Sequence, residues 1–293
     1  MKVWLNGTIV DGQDAKISVM DHGLLYGDGV FEGIRVINRR VFRLPDHIQR
    51  LHASAKAIGL VLPLSAAEIQ ALVLDTARAL DNDEAYIRLI ATRGEGELGV
   101  DPATCAKSQI ICIAAQIRLF DPAKTHQGIT MVTVSVRRPP ADILDPRVKS
   151  LNYLNNVLAK REARLRGADE ALILNQNAMV AEASVANVFI VRAGELLTPP
   201  ATDGALEGIT RDSVLRCAAM LNITARQQTL SRFDVLTADE VFLTGTGARI
   251  VPVSRLDGEL IGTNPSGTST GRPLTDRISD ALSSYSREYG VPF

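Results

Sequence analysis

Lys149-Ser150-Leu151-Asn152-Tyr153-Leu154-Asn155-Asn156 follows a strand-like run punctuated by prolines and opens a helix-like segment. A lysine placed where sheet meets helix, in a chain rich in small and apolar residues, can shed water and act as a free amine, the condition for Schiff-base chemistry. A solvated lysine at a helix start has the same local look, although its charge there is mildly unfavourable against the helix dipole.

Downstream, Val180-Ala181-Glu182-Ala183-Ser184-Val185-Ala186-Asn187-Val188-Phe189 sets Glu182 between two strand-like stretches of small residues. Such a carboxylate is costly to bury unless something protonated faces it. A pyridinium nitrogen would serve, and the pairing would keep that ring able to accept electrons; an exposed hairpin glutamate is the plain alternative. Pro199 to Arg211 then delivers a loop into a helix start, where first-turn amides such as those of Ile209 and Thr210 can hold a phosphate without a long basic side chain. A plain capped helix would read the same. In Thr244-Gly245-Thr246-Gly247-Ala248 the glycines permit close backbone approach and Thr246 offers a hydroxyl. Arg50 could add a charge-assisted bond to the same phosphate.

Around these residues the pattern is that of two domains, as 293 residues allow. Asn6-Gly7 between Val3-Trp4-Leu5 and Thr8-Ile9-Val10 reads as a tight hairpin. Pro45-Asp46 starts a helix with Ile48, Leu51, Ala55 and Ile58 at helical spacing, and Glu68 to Leu80 makes a second. Ala85 to Thr92 and Gln109 to Ala115 are apolar enough for buried strands. Residues 1–119 thus form an α+β domain, Phe120 to Gln127 a linker, and 128–293 a larger domain. The larger domain should hold strands at Ile129 to Val136, Glu170 to Leu174, Val185 to Val191, Val241 to Leu243 and Ile250 to Val253, with helices at Leu151 to Arg166 and Gly208 to Leu221. Asn264 to Gly271 reads as a turn or loop.

Composition narrows the partners. The 32 basic and 33 acidic residues nearly cancel and are scattered, which argues against nucleic acid or a charged membrane, and no apolar run suits a membrane span. Cys105, Cys112 and Cys217 are unpatterned and no signal-peptide layout opens the chain, which together point to the cytoplasm. No His-x-x-x-His pair occurs, so no metal is expected, and His47 and His52 read as packing or surface histidines.

Lys149 to Tyr153, Glu182 to Phe189, Leu206 to Arg211 and Thr244 to Ala248 stand in an order that resembles the class IV, fold-type IV pyridoxal-phosphate aminotransferases, most closely the branched-chain amino acid aminotransferases. The resemblance runs from the Trp4 hairpin to about Gly262. It implies the two-domain α+β fold of the D-amino-acid-aminotransferase-like enzymes, a small α/β domain plus a larger β-barrel-like domain with helices. It implies pyridoxal 5'-phosphate as cofactor, Lys149 as aldimine lysine and proton shuttle, and Glu182 at the pyridine nitrogen. Arg50, Ile209, Thr210 and Thr246 would form the phosphate cradle, with Leu206 against the ring and Tyr153 bonded to its phenolic oxygen.

The same resemblance assigns the substrate side. Tyr26-Gly27-Asp28-Gly29-Val30-Phe31-Glu32-Gly33-Ile34-Arg35 is similar to the family's pocket segment, with Tyr26 and Phe31 as apolar walls and Arg35 among the substrate residues. Tyr86-Ile87-Arg88 is similar to the branched-chain enzymes' strand. Tyr86, with the amides of Gly247 and Ala248, would hold the substrate carboxylate, and Arg88 would admit the γ-carboxylate of glutamate or 2-oxoglutarate. Branched-chain amino acids and 2-oxo acids are then the small-molecule partners, handled by a ping-pong mechanism in a homodimer, with a hexamer as the alternative assembly.

Two departures bear on this. Three residues separate Lys149 from Tyr153, one fewer than in the best-known branched-chain enzymes and as in D-amino-acid aminotransferases and aminodeoxychorismate lyases. Thr92 to Gly99, however, lacks the arginine-x-histidine pair of the D-amino-acid enzymes, and the Tyr86 to Arg88 triplet has no purpose in the lyase. A lyase, a D-amino acid or (R)-amine transaminase, and a non-catalytic binding protein remain the competing readings.

Overall fold

The computed structural model describes residues 1–116, 127–262 and 271–293. Of the expected Phe120 to Gln127 linker, residues 120–126 lie outside the described residues, as do residues 264–270 of the Asn264 to Gly271 loop. The chain divides into two compact units. The first takes the N-terminal residues through 116 with Val148–Asn152 and Ser286–Phe293; the second takes residues 127–147 and Tyr153–Tyr285.

In the first unit, Asn6 and Gly7 both adopt positive φ, 52° and 89°, as a type I′ turn requires, and join β1 (Lys2–Leu5) to β2 (Thr8–Asp11). The long β3 (Gly29–Ile37) and short β4 (Arg40–Phe42) follow. β5 (Ala85–Thr92) and β6 (Gln109–Ala115) match their expected spans. Among the described residues these strands and the C-terminal strand Gly290–Pro292 make one seven-stranded sheet. Its order is C-terminal strand, β4, β3, β5, β6, β1, β2.

Two helices, Leu44–Ala57 and Ala66–Leu80, pack on one face of this sheet. Ile48, Leu51 and Ala55 point inward as their spacing demands, and Ser65 with Glu68 closes a reciprocal capping box at the second helix. They meet Val30, Ile34 and Val36 of β3 and Ala85, Ile87, Leu89 and Ala91 of β5. Side chains alternate along a strand, so Phe31, Gly33 and Arg35 of β3 and Tyr86, Arg88 and Ile90 of β5 share the opposite face. Register sets Gly33 across from Arg88 and Arg35 across from Tyr86.

Lys149 does not open a helix. Phe31 N donates to Lys149 O and Leu151 N to Gly29 O, both at 2.9 Å, and Val30 and Ser150 form an antiparallel bridge. Pairing with β3 takes the backbone groups a helix would need. The helix expected from Leu151 to Arg166 therefore begins at Leu154, with Tyr153 as its N-cap, and ends at Leu165.

The second unit holds β7 (Ile129–Arg137), β8 (Glu170–Leu174), β9 (Val180–Ala183), β10 (Asn187–Arg192), β11 (Glu195–Thr198), β12 (Ala225–Gln227), β13 (Glu240–Gly245), β14 (Arg249–Leu256) and β15 (Glu259–Leu260). Among the described residues they form one sheet in the order β12, β11, β10, β13, β14, β7, β8, β9, with β15 on β14. Glu182 lies within β9 rather than between two strands, paired with Ile173 of β8. The strand expected from Val185 starts two residues later because Ala183 N donates to Ala186 O at 2.8 Å, closing a turn between β9 and β10.

Apolar matching holds this unit together. Phe189 and Phe242, register partners on β10 and β13, stack with centroids 5.1 Å apart. The Leu154–Leu165 helix seats Ala159 and Ala163 on Val132, Val134, Ala171 and Ile173. The Ile209–Met220 helix buries Val214, Cys217 and Ala218. No described helix is long and apolar enough to cross a membrane.

Candidate active site

In the first unit, Lys149 is half-buried and its backbone N–H donates to Ser54 Oγ at 3.2 Å. Its Nζ stands 4.5 Å from the centroid of the Phe31 ring, and the Arg88 guanidinium lies at the same distance from that ring. Arg88 Nη2 also donates to Tyr86 Oη at 3.3 Å. One aromatic side chain thus borders an amine on a paired backbone segment and a guanidinium on β5. Gly33 makes the arrangement possible, because a Cβ there would sit 2.0 Å from Tyr86 Oη. We expect Gly33→Ala to swing Tyr86 away from Arg88 while the fold persists; a crystal structure of the variant with a melting curve checks it.

Arg35 lies on the same face, half-buried, with Nη2 at 3.4 Å from Glu84. Tyr26 closes the His22–Tyr26 helix, and its Oη accepts from Gly99 N at 2.8 Å. Arg50 is gripped from behind. Its Nε and Nη2 donate to the two oxygens of Glu32 at 2.8 and 2.7 Å, and His47 Nδ1 donates to Glu32 Oε2 at 2.7 Å. Glu32 and His47 are fully buried. Burial alone would raise the Glu32 carboxyl, but the Arg50 charge and the hydrogen bonds from Arg50 and His47 outweigh it and hold it at about 2. Burial pushes the His47 imidazole below its usual value despite the pull of Glu32. His47 is therefore a packing histidine with a polar partner.

In the second unit, Glu182 is buried and held at both oxygens. Arg138 Nη2 donates to Oε1 at 2.6 Å, while Asn187 Nδ2 and Leu206 N each donate to Oε2 at 3.1 Å. Leu206 O in turn accepts from Asn187 Nδ2 at 2.9 Å. Two residues beyond Leu206, Gly208 is the N-cap of the Ile209–Met220 helix and no side chain caps it. A Cβ at Gly208 would sit 2.1 Å from Asn187 Oδ1, so the backbone here is pressed against the residues that hold Glu182. Ile209 and Thr210 form the buried first turn. Thr246, Gly247 and Ala248 make the turn between β13 and β14, closed by Ala248 N on Gly245 O at 3.1 Å. Beside it Thr244 is fully buried, and its Oγ1 has no hydrogen-bond partner among the described residues. Tyr153 is half-buried at its helix start.

Sequence reasoning missed Glu32, Arg138 and Asn187. Glu32 carried a signal, a lone carboxylate in the apolar run Val30-Phe31-Glu32-Gly33-Ile34, and Asn187 lay inside a motif already singled out. Arg138 carried none, since it looks like any basic residue before Pro139-Pro140.

The family model for class IV aminotransferases matches residues 29–256. The chain belongs to the class IV aminotransferases. Within this family it is 49% identical over 280 residues to a putative branched-chain-amino-acid aminotransferase of Methanocaldococcus jannaschii, covering 96% of each chain. It resembles the crystal structure of the branched-chain aminotransferase of Thermoproteus uzoniensis with norvaline at a TM-score of 0.89 and 36% identity, covering 99% of this chain and 97% of that one. The branched-chain amino acid aminotransferase of T.th., complexed with N-(5'-phosphopyridoxyl)-L-glutamate, gives 0.90 and 35%, covering 98% and 94%. The fold is accordingly fold type IV, as the sequence motifs imply.

Proposed function

We propose that this aminotransferase uses pyridoxal 5'-phosphate to move the amino group of branched-chain L-amino acids to 2-oxoglutarate, by two half-reactions in turn. The observation that carries the reading is the ring of Phe31 bordered by Lys149 Nζ and by the Arg88 guanidinium, each 4.5 Å from its centroid. An amine beside an aromatic wall suits an apolar side chain, and a guanidinium at the same wall suits a second carboxylate. The branched-chain relatives, one of them holding a phosphopyridoxyl adduct of glutamate, support the same substrates.

The donor set fits this cofactor. The uncapped helix start at Gly208 offers first-turn amides to a phosphate, Thr246 would add a hydroxyl, and the family resemblance would add a charge-assisted bond from Arg50, which Glu32 orients within the first unit. Glu182, a buried acceptor, suits a protonated ring nitrogen. When bound, pyridoxal phosphate supplies an aldehyde that takes up amines and a ring that spreads the negative charge left at the substrate Cα.

Lys149 Nζ would hold the cofactor through its aldehyde and, as a free amine, would take the substrate Cα proton and return it. Glu182 would keep a proton on the ring nitrogen, Leu206 would pack against the ring, and Tyr153 would donate to the phenolic oxygen. The family resemblance assigns the α-carboxylate to Tyr86 and to the amides of Gly247 and Ala248, the last of which would have to share the N–H it gives to Gly245 O. Tyr26 and Phe31 wall the side-chain pocket, and Arg88, with Arg35 nearby on the same face, admits the γ-carboxylate of glutamate.

Mixing the loaded enzyme with L-leucine, D-alanine, an (R)-aryl amine and aminodeoxychorismate in single half-reactions tests this. L-leucine should bleach the yellow enzyme, and 2-oxoglutarate should restore it. A response to D-alanine or aminodeoxychorismate alone overturns the reading. Glu182→Gln should slow the L-leucine half-reaction about 100-fold.

The working unit is read as a homodimer, a hexamer being the alternative. Leu24, Leu98 and Val100 are exposed, and the Tyr26 to Gly99 bond ties together the helix and loop that carry them, an apolar patch suited to a second copy. Three free cysteines, two of them buried, suit a reducing cytoplasm.

A further inference from the structure

We propose that a buried polar strut, Arg138–Asn156–Ser184–Glu170, aims the carboxylate of Glu182, which makes Asn156 and Ser184 positioning residues for amino transfer; this rests on Glu182 being the partner of the ring nitrogen. All of its members belong to the second unit. Arg138 is 6% exposed, Asn156 7%, Ser184 1% and Glu170 0%, so none can exchange its partners freely for water.

The bonds are continuous. From Arg138 Nη2 on Glu182 Oε1 at 2.6 Å, the guanidinium turns its Nη1 to Asn156 Oδ1 at 3.3 Å, with Asn155 Oδ1 at 3.4 Å. Asn156 Nδ2 donates to Ser184 O at 2.6 Å. Ser184 Oγ donates to Glu170 Oε1 at 2.5 Å, and Ser184 N to the same oxygen at 3.3 Å. Lys160 Nζ, at the rim of the unit, donates to Glu170 Oε2 at 2.7 Å. Two carboxylates and two cations alternate along the path, which lets the three buried charges, Glu182, Arg138 and Glu170, share an interior with Lys160 at its rim.

The geometry gives the strut its purpose. Arg138 Nε has no acceptor among the described residues, so the guanidinium is fixed at its two outer nitrogens, one on Glu182 and the other on the asparagines. A planar group held at two points cannot swivel; held at one, it can. Gly204 shows that the site is shaped around this arginine, since a Cβ there would come within 2.8 Å of Arg138 Cγ. Asn156 is the joint where the arginine meets the scaffold, and it also donates to the turn that follows Glu182. Ser184 fastens that turn to Glu170.

The test measures the dissociation constant of pyridoxal phosphate and the pH midpoint of the bound cofactor's visible absorbance in Asn156→Ala and Ser184→Ala. Val188→Ala, a core variant outside the strut, controls for lost stability, and Glu182→Gln is run in parallel. We expect Asn156→Ala to weaken cofactor binding about tenfold and Ser184→Ala about threefold, both moving the midpoint. Val188→Ala should lower Tm and move neither. If Glu182→Gln moves the absorbance while Asn156→Ala and Ser184→Ala keep wild-type affinity and midpoint, the strut is merely structural and the proposal falls alone. If Glu182→Gln itself leaves both readouts unchanged, the ring-nitrogen reading falls and takes the strut with it.

Discussion

Lys149→Ala is expected to lower turnover by at least about 10⁴-fold while the protein keeps its fold. The side chain contributes one amine beside Phe31, whereas the segment's hold on the first sheet comes from the backbone bonds of residues 149 and 151 to β3, which alanine retains. On the proposed reading, loss of the amine removes both the group that would hold the cofactor and the group that would take the Cα proton. Lys149→Arg should not restore activity, because a guanidinium stays protonated and cannot act as the free nucleophile. Steady-state rates with L-leucine and 2-oxoglutarate, together with melting curves, decide it. Full activity in the alanine protein would end the transaminase reading.

Glu32→Gln should lower the stability of the protein by about 3 to 5 kcal/mol, the usual consequence of removing one partner from a buried ion pair. The amide can neither satisfy both nitrogens of Arg50 nor balance its charge, and His47 Nδ1 loses a charged acceptor. The pH dependence should change with it. In the wild type Glu32 falls from its ordinary 4.5 to about 2 on folding, so its contribution is complete above about pH 4.5 and lost as pH falls toward 2. His47, lowered from 6.5 by burial, binds its proton less readily in the folded state; acid below about pH 6.5 therefore weakens the fold through this residue as well. Urea midpoints measured from pH 7 to pH 3 should fall in two stages for the wild type. The glutamine variant should lack the lower stage. A variant with the wild-type midpoint and both stages would show that the buried pair stabilises nothing.

Local signals made much of the fold legible. The Asn6-Gly7 turn and the apolar run of β5 each depend on residues adjacent in sequence, and each matched its expectation. The segment around Lys149 did not, because Leu151-Asn152-Tyr153-Leu154 has helical character, whereas the chain from Lys149 to Leu151 is drawn into pairing by β3, over a hundred residues earlier. The same limit hid the partners of the site residues. Glu32 and Arg50 lie 18 residues apart and Arg138 and Glu182 lie 44 apart; no periodicity links such pairs, and only the folded register brings them together. The C-terminal strand escaped notice because it spans three residues and is held by β4, Arg40 Nη1 on Gly290 O, and Arg39 over the Phe293 ring.

The division of the chain also sets an order of assembly. The first unit recruits Val148–Asn152 from mid-chain and its last edge strand from Gly290–Pro292. On a ribosome, where synthesis runs from the N-terminus, its sheet is templated early and gains this edge strand much later. The segment that bears Lys149 joins in between, and the sheet edge at β4 stays open until Gly290–Pro292 emerges. An unpaired strand edge invites other chains. For this enzyme the period of greatest vulnerability to misassembly is thus the interval between synthesis of β4 and synthesis of Gly290–Pro292, and removal of that strand would make the interval permanent.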